Sequence, residues 1–160
     1  GARLTQPRVE PEIGFYLARP LSGSGITAED AFAATEAAVA CLEIVDSVYT
    51  GYRFRIEDNT ADGSSAAGVV VGPALEAGVD LAALEVVFER NGERVGEARG
   101  DAAMGHPARA LAWLARRQSL DAGTLVITGG LTAAVPLGRG DTCAAVFGGS
   151  VRVTVHGPRP

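Results

Sequence analysis

Three carboxylates are the first residues whose type and spacing point to chemistry. Glu10 and Glu12 stand two apart in Arg8-Val9-Glu10-Pro11-Glu12-Ile13, and Glu43 interrupts the apolar run Ala40-Cys41-Leu42-Glu43-Ile44-Val45. Residues two apart on an extended strand project from the same face, so Glu10 and Glu12 lie side by side. Together they repel unless a cation or a solvated face accommodates them. A carboxylate buried in an apolar run is costly without a partner. Three carboxylates on neighbouring strands suit a hard, oxygen-seeking cation such as Mg2+ or Mn2+. The competing reading leaves Glu10 and Glu12 on a solvated face and pairs Glu43 with an arginine. Spacing alone leaves both open.

Other groups are less specific. Asn59, Asp62, Ser64 and Ser65 form either a plain turn or a cradle that holds a small anion through hydroxyls and free backbone N–H groups. Gly129-Gly130 after an apolar strand permits close backbone approach, or is simply a turn. His106 precedes a helical segment, and no Asp-His-Ser constellation accompanies it, so it reads as structural. Cys41 and Cys143 sit far apart in apolar runs with no Cys-x-x-Cys spacing, which predicts two buried thiols. All 14 basic residues are arginine, so a lysine Schiff base or lysine general base within this chain is excluded. No phosphate-loop motif is present.

The elements that must position these groups read as mainly β. A length of 160 residues with 47% hydrophobic and 21% charged content suits a single domain over 1–160 with a substantial core. A formal net charge of −5 gives no field that draws the chain to nucleic acid or anionic lipid. No apolar run reaches membrane-spanning length and the start has no secretory pattern, so the chain reads as cytoplasmic. Period-two alternation predicts a strand over Val9 to Ala18. Thr27 caps an alanine-rich helix expected to run to about Ala38, followed by a strand over Val39 to Val45. Tyr49 to Ser65 reads as a long loop with one helical turn, and Gly68 to Gly72 as a short buried strand stopped by Pro73. Asn91-Gly92 marks a hairpin between Leu84–Arg90 and Glu93–Arg99. A second helix starts at Pro107, and strands follow over Leu125–Thr128, Thr142–Phe147 and Val151–Val155. The expected class is α+β, mainly β, with two helices packed on the strands.

Longer stretches resemble a known family. Pro7-Arg8-Val9-Glu10-Pro11-Glu12-Ile13-Gly14-Phe15 and Leu42-Glu43-Ile44-Val45-Asp46-Ser47 are similar to the hydratase/decarboxylase family of meta-cleavage aromatic catabolism, within the fumarylacetoacetate hydrolase-like superfamily. The similarity continues through Thr60–Gly68, Gly105–Ala115 and Thr128–Val135, in order along nearly the whole chain. It implies a mixed β-sandwich roll. Glu10, Glu12 and Glu43 are thereby implied as ligands of Mg2+ or Mn2+, Asp62 as a catalytic residue, and Ser64, Ser65 and Gly130 as substrate-binding residues. The implied activity is that of a lyase acting on a small 2-oxo acid. It decarboxylates a 2-oxohex-3-enedioate-like substrate or hydrates a 2-hydroxydienoate, through a metal-stabilised enolate.

Departures from the pattern carry expectations of their own. The family's N-terminal segment, with its acid–base lysine, is not found in these residues. The usual Ala-Asp-Asn is Ala61-Asp62-Gly63, and the usual Asp-Ser-Arg is Asp46-Ser47-Val48. An amide and a guanidinium suited to anchoring substrate are thus replaced. The alternative expectation is a non-catalytic scaffold or binding subunit that has lost the lid and general base. The expected partners are a small 2-oxo acid, further copies of the chain in a homo-oligomer, and a separate chain supplying the N-terminal segment. Nucleic acid and membrane are not expected.

Overall fold

The computed structural model describes residues 4–159. Strand β1 (Arg8–Leu17) pairs antiparallel with β2 (Thr35–Val45), placing Glu10 opposite Glu43 and Glu12 opposite Cys41. On its other side β1 carries β6 (Leu125–Ile127) and then β7 (Val135–Pro136), two pieces of one returning segment that leaves the ladder between them. β3 (Ala66–Ala74) closes the far edge, so the sheet runs β3-β2-β1-β6 with β7 also on β1. The second sheet has the order β5-β4-β8-β9, from β4 (Glu85–Arg90), β5 (Glu93–Arg99), β8 (Thr142–Phe147) and β9 (Val151–His156). Every ladder in both sheets is antiparallel.

The parity of β1 divides the molecule. Val9, Ile13, Phe15 and Leu17 are fully buried and join Ala40, Leu42, Phe88, Phe147 and Val153 in one core between the sheets. The sheets meet so closely that a Cβ on Gly72 would lie 2.7 Å from the Cβ of Val153. Helix α3 (Pro107–Ala115) buries Leu111 and Ala112 in the same core. The even residues Arg8, Glu10, Glu12 and Gly14 face the other way, and that face carries the carboxylates.

Local chemistry explains the elements that match expectation. Asn91 and Gly92 both take left-handed φ, +54° and +83°, as a two-residue hairpin turn requires. The His106 Nδ1 accepts from the Ala108 N–H at 3.1 Å, which makes the histidine an N-cap, and Pro107 follows at the first helical position. Cys41 and Cys143 are buried free thiols.

Three expectations are corrected. The first helix, α1 (Ala28–Ala33), is much shorter than expected, and β2 begins at Thr35 rather than Val39. Thr27 and Asp30 form a reciprocal capping box, but alanine propensity beyond Ala33 loses to pairing with β1, where Leu17 meets Thr35. β3 is longer than expected and largely exposed, because it is an edge strand; Pro73 lies within it rather than ending it. The helical turn expected in the loop after β2 is present as α2 (Ile56–Ala61), a six-residue helix whose first turn carries Glu57 and Asp58, so the strands carry three α-helices among the described residues rather than the expected two. Among the described residues no helix is long and apolar enough to cross a membrane.

Candidate metal centre

Between β6 and β7 the returning segment stays close to β1 without completing the ladder. The Thr128 hydroxyl accepts from the Ile13 N–H at 3.3 Å, and the Leu131 N–H donates to the Pro11 carbonyl at 2.9 Å. Gly129 takes φ +95°, a conformation open to glycine, and its N–H donates to Glu12 Oε2 at 2.8 Å. Gly130 presents bare backbone to Glu10: a Cβ there would stand 2.9 Å from the carboxylate carbon. The Gly-Gly pair therefore serves close approach rather than a plain turn.

Glu10, Glu12 and Glu43 each bring an oxygen to one point, all within 4.8 Å of one another. Glu10 and Glu43 face each other directly across the β1–β2 ladder, an arrangement in which like charges destabilise a sheet. Glu12 is wholly buried, and its Oε1 has no hydrogen-bond partner among the described residues. Burial, then the charge of Glu43, pushes the Glu12 carboxyl up to about 9, against the lowering effect of the Gly129 N–H. Burial also raises Glu10, helped by Glu43 and opposed by the Arg8 guanidinium, and burial raises Glu43. None of the three takes part in an ion pair among the described residues, so Glu43 is not arginine-paired, and the burial of Glu12 takes it off a solvated face, while Glu10 and Glu43 are half-buried. An orphaned buried oxygen in a cluster of crowded carboxylates is the donor set that a hard divalent cation satisfies.

The other expected site residues lie beyond the end of β2. Asp62 Oδ2 accepts from the Val48 N–H at 3.2 Å and lies 3.3 Å from the hydroxyls of both Ser47 and Ser65. Ser65 is buried and its carbonyl accepts from the Asp46 N–H at 2.8 Å. Gly63, Ser64 and Ser65 take successive φ values of +63°, +57° and +61°, a left-handed run in which the two serines are strained. Ser64 is exposed. The structure thus brings Gly130 to the glutamates and gathers Asp62 with Ser65 in a separate hydrogen-bonded group. Sequence reasoning missed the Gly129 N–H as a partner of Glu12; the glycine pair was its only signal. It also passed over Arg8, which shares the parity of Glu10 and Glu12, and Tyr52, over whose ring the Arg8 guanidinium sits.

The sequence matches the fumarylacetoacetate (FAA) hydrolase C-terminal family over residues 2–156. It is 40% identical to a 2-hydroxyhexa-2,4-dienoate hydratase of Comamonas testosteroni, an alignment covering 92% of this chain and 59% of the relative. It is 36% identical to a 4-oxalocrotonate decarboxylase of Pseudomonas sp. (strain CF600), covering 97% of this chain and 61% of the relative. The solved structure of 4-oxalocrotonate decarboxylase from Pseudomonas putida G7, complexed with magnesium and adipate, superposes with a TM-score of 0.90 at 34% identity, covering 96% of this chain and 61% of that one. The chain spans about three fifths of the length of these relatives. With its two antiparallel sheets and its family match along residues 2–156, the chain belongs to the fumarylacetoacetate hydrolase family.

Proposed function

We propose that this chain carries the metal-dependent site of a lyase acting on a small 2-oxo acid, with Mg2+ or Mn2+ held by Glu10, Glu12 and Glu43. The observation that carries the reading is the buried, unpartnered Glu12 Oε1 inside the three-carboxylate cluster. The kinship with hydratases and decarboxylases, one of them solved with magnesium, supports the same reading. Held by Glu10, Glu12 and Glu43, a divalent cation would supply Lewis acidity to the 2-oxo end of the acid.

The chain's own residues supply the rest. Gly129 fixes the Glu12 carboxylate through its N–H, and Gly130 keeps space beside Glu10 free of side-chain atoms. In this reading Asp62, Ser64 and Ser65 serve the substrate from the strained 63–65 turn, Asp62 as the group that exchanges a proton, the exposed Ser64 hydroxyl as a donor and the buried Ser65 hydroxyl as the group that holds Asp62 in place. Burial of Glu12 excludes water from one side of the cluster.

The reading is tested by thermal melting. Millimolar Mg2+ is expected to raise the melting temperature, because only the folded chain assembles all three ligands. Glu43→Gln is expected to remove that gain while leaving the metal-free protein at least as stable, since it relieves like-charge crowding. A wild-type protein indifferent to millimolar Mg2+ and Mn2+ overturns the proposal.

A further inference from the structure

Helices α1 and α3 pack side by side, and their outer surface carries large apolar side chains that the core does not use. α3 turns Leu111, Ala112 and Ala115 inward and leaves Trp113 on its outer side, 45% exposed. A helix with one buried stripe ordinarily gives its opposite side to polar residues. On α1, Phe32 is 44% exposed, although its ring meets Phe15 edge-to-face at 6.3 Å. Met104, just before α3, is 53% exposed.

Three adjoining grooves join these residues into one face. The first, of about 590 Å³, runs between residues 24–29 and α3 and is lined by Met104, Arg109, Trp113 and Arg116. Arg109 and Glu29 also border a second, of about 210 Å³, which reaches Phe32. Phe32 in turn borders a third, of about 430 Å³, lined by Ala37, Ala38, Ala74 and Leu75 together with Glu36 and Glu76.

The two ends of this face carry opposite charge. At the Trp113 end, Arg116 Nε donates to the Ile26 carbonyl at 2.9 Å and Arg109 Nη1 to the Met104 carbonyl at 3.4 Å. The Arg117 guanidinium lies over the Trp113 ring, with Cζ 3.8 Å from the centroid. Backbone carbonyls thus orient Arg109 and Arg116 while their other N–H donors stay free. At the far end stand the exposed carboxylates of Glu36 and Glu76. None of these charged groups joins an ion pair among the described residues.

Two chains of net charge −5 repel at a distance, so association calls for local complementarity. A face with a basic, aromatic end and an acidic, alanine-lined end is complementary to itself after a half-turn, as a two-fold contact requires. Meeting in the other sense, it would set guanidinium against guanidinium. We propose that this face is a two-fold interface between copies of the chain, with Trp113, Arg109 and Arg116 of one copy seated beside Glu36 and Glu76 of the other and Phe32 near the axis. Tryptophan, methionine, phenylalanine and arginine are the side chains that interfaces concentrate. No residue of the metal centre takes part, so the inference stands apart from the metal reading.

Trp113 is the only tryptophan, so its emission reports on this face alone. In analytical ultracentrifugation the full chain is expected to sediment as an even number of copies, and dilution into the dissociated form to shift Trp113 emission to the red. Raising NaCl from about 0.15 M to about 1 M is expected to weaken association at least about 10-fold. Arg109→Glu with Arg116→Glu in one variant, and Glu36→Arg with Glu76→Arg in another, are each expected to halve the mass. Mixed in equal amounts the two variants are expected to recover it, because both contacts then join opposite charges again. A monomeric wild type overturns the inference and leaves the face to a different chain. A mass unchanged in either variant, mixed variants that stay apart, or an emission indifferent to dissociation overturns it as well. The wild-type emission on dilution decides even if a variant does not fold.

Discussion

Glu12 shows how a single residue can be read from sequence in type and yet not in energy. Its spacing from Glu10 placed both on one face, which the structure bears out, because strand parity is a local property. Its complete burial and its bond to Gly129 were not legible, since both depend on a segment more than a hundred residues away that folds over it. The burial has a pH signature. Without metal, the Glu12 carboxyl is raised from its ordinary 4.5 to about 9, so the folded state holds the proton more tightly than the unfolded chain. That contribution is complete below the lower value and is lost as pH rises through the upper one. With EDTA, the melting temperature is therefore expected to fall from mild acid towards alkaline pH, and Glu12→Gln to flatten the slope. Excess Mg2+ is expected to reverse the trend, because ligation needs ionised carboxylates and displaces their protons. Parallel curves with and without Mg2+ count against the carboxylate cluster.

Among the elements, those with a strong local signal matched expectation and those decided by tertiary pairing did not. The Asn91-Gly92 hairpin and the helix at Pro107 carry their own backbone chemistry. The alanines after Ala33 carry none strong enough to resist β1, and the valines of β3 read as buried until the sheet order puts them at an edge, where Val69 and Val71 remain exposed. β3 nevertheless has one packed point. Gly72→Ala would drive a methyl into Val153 and the Ala40 carbonyl, and is expected to cost about 1–3 kcal/mol by overpacking. Gly68→Ala, on the same strand with open space around it, is expected to leave the denaturation midpoint within experimental scatter. Chemical denaturation of the two variants beside wild type separates a packed sheet interface from a general loss of glycine.

At the scale of the whole molecule, the resemblance identified the fold as a β-sandwich, and the two antiparallel sheets agree. What neither composition nor spacing revealed is the order in which the centre must be assembled. Glu10 and Glu43 come from strands consecutive in the chain, joined by the segment 18–34 that holds α1, whereas Gly129 and Gly130 arrive from much further along it. Pairing β1 with β2 alone brings Glu10 opposite Glu43 but leaves Glu12 without the Gly129 N–H and the cover of the 128–131 segment, so the early structure holds an incomplete, solvated ligand set. Contacts made across such long loops tend to form late on the folding route. The ion is therefore expected to act on the exit rather than the entrance: in stopped-flow experiments Mg2+ slows unfolding by about the factor that its equilibrium stabilisation implies, and leaves the refolding rate nearly unchanged. A refolding rate that rises with Mg2+ as much as unfolding slows would refute this order. If it holds, the centre works as a latch on the native state, lengthening the life of a fold that it does nothing to start.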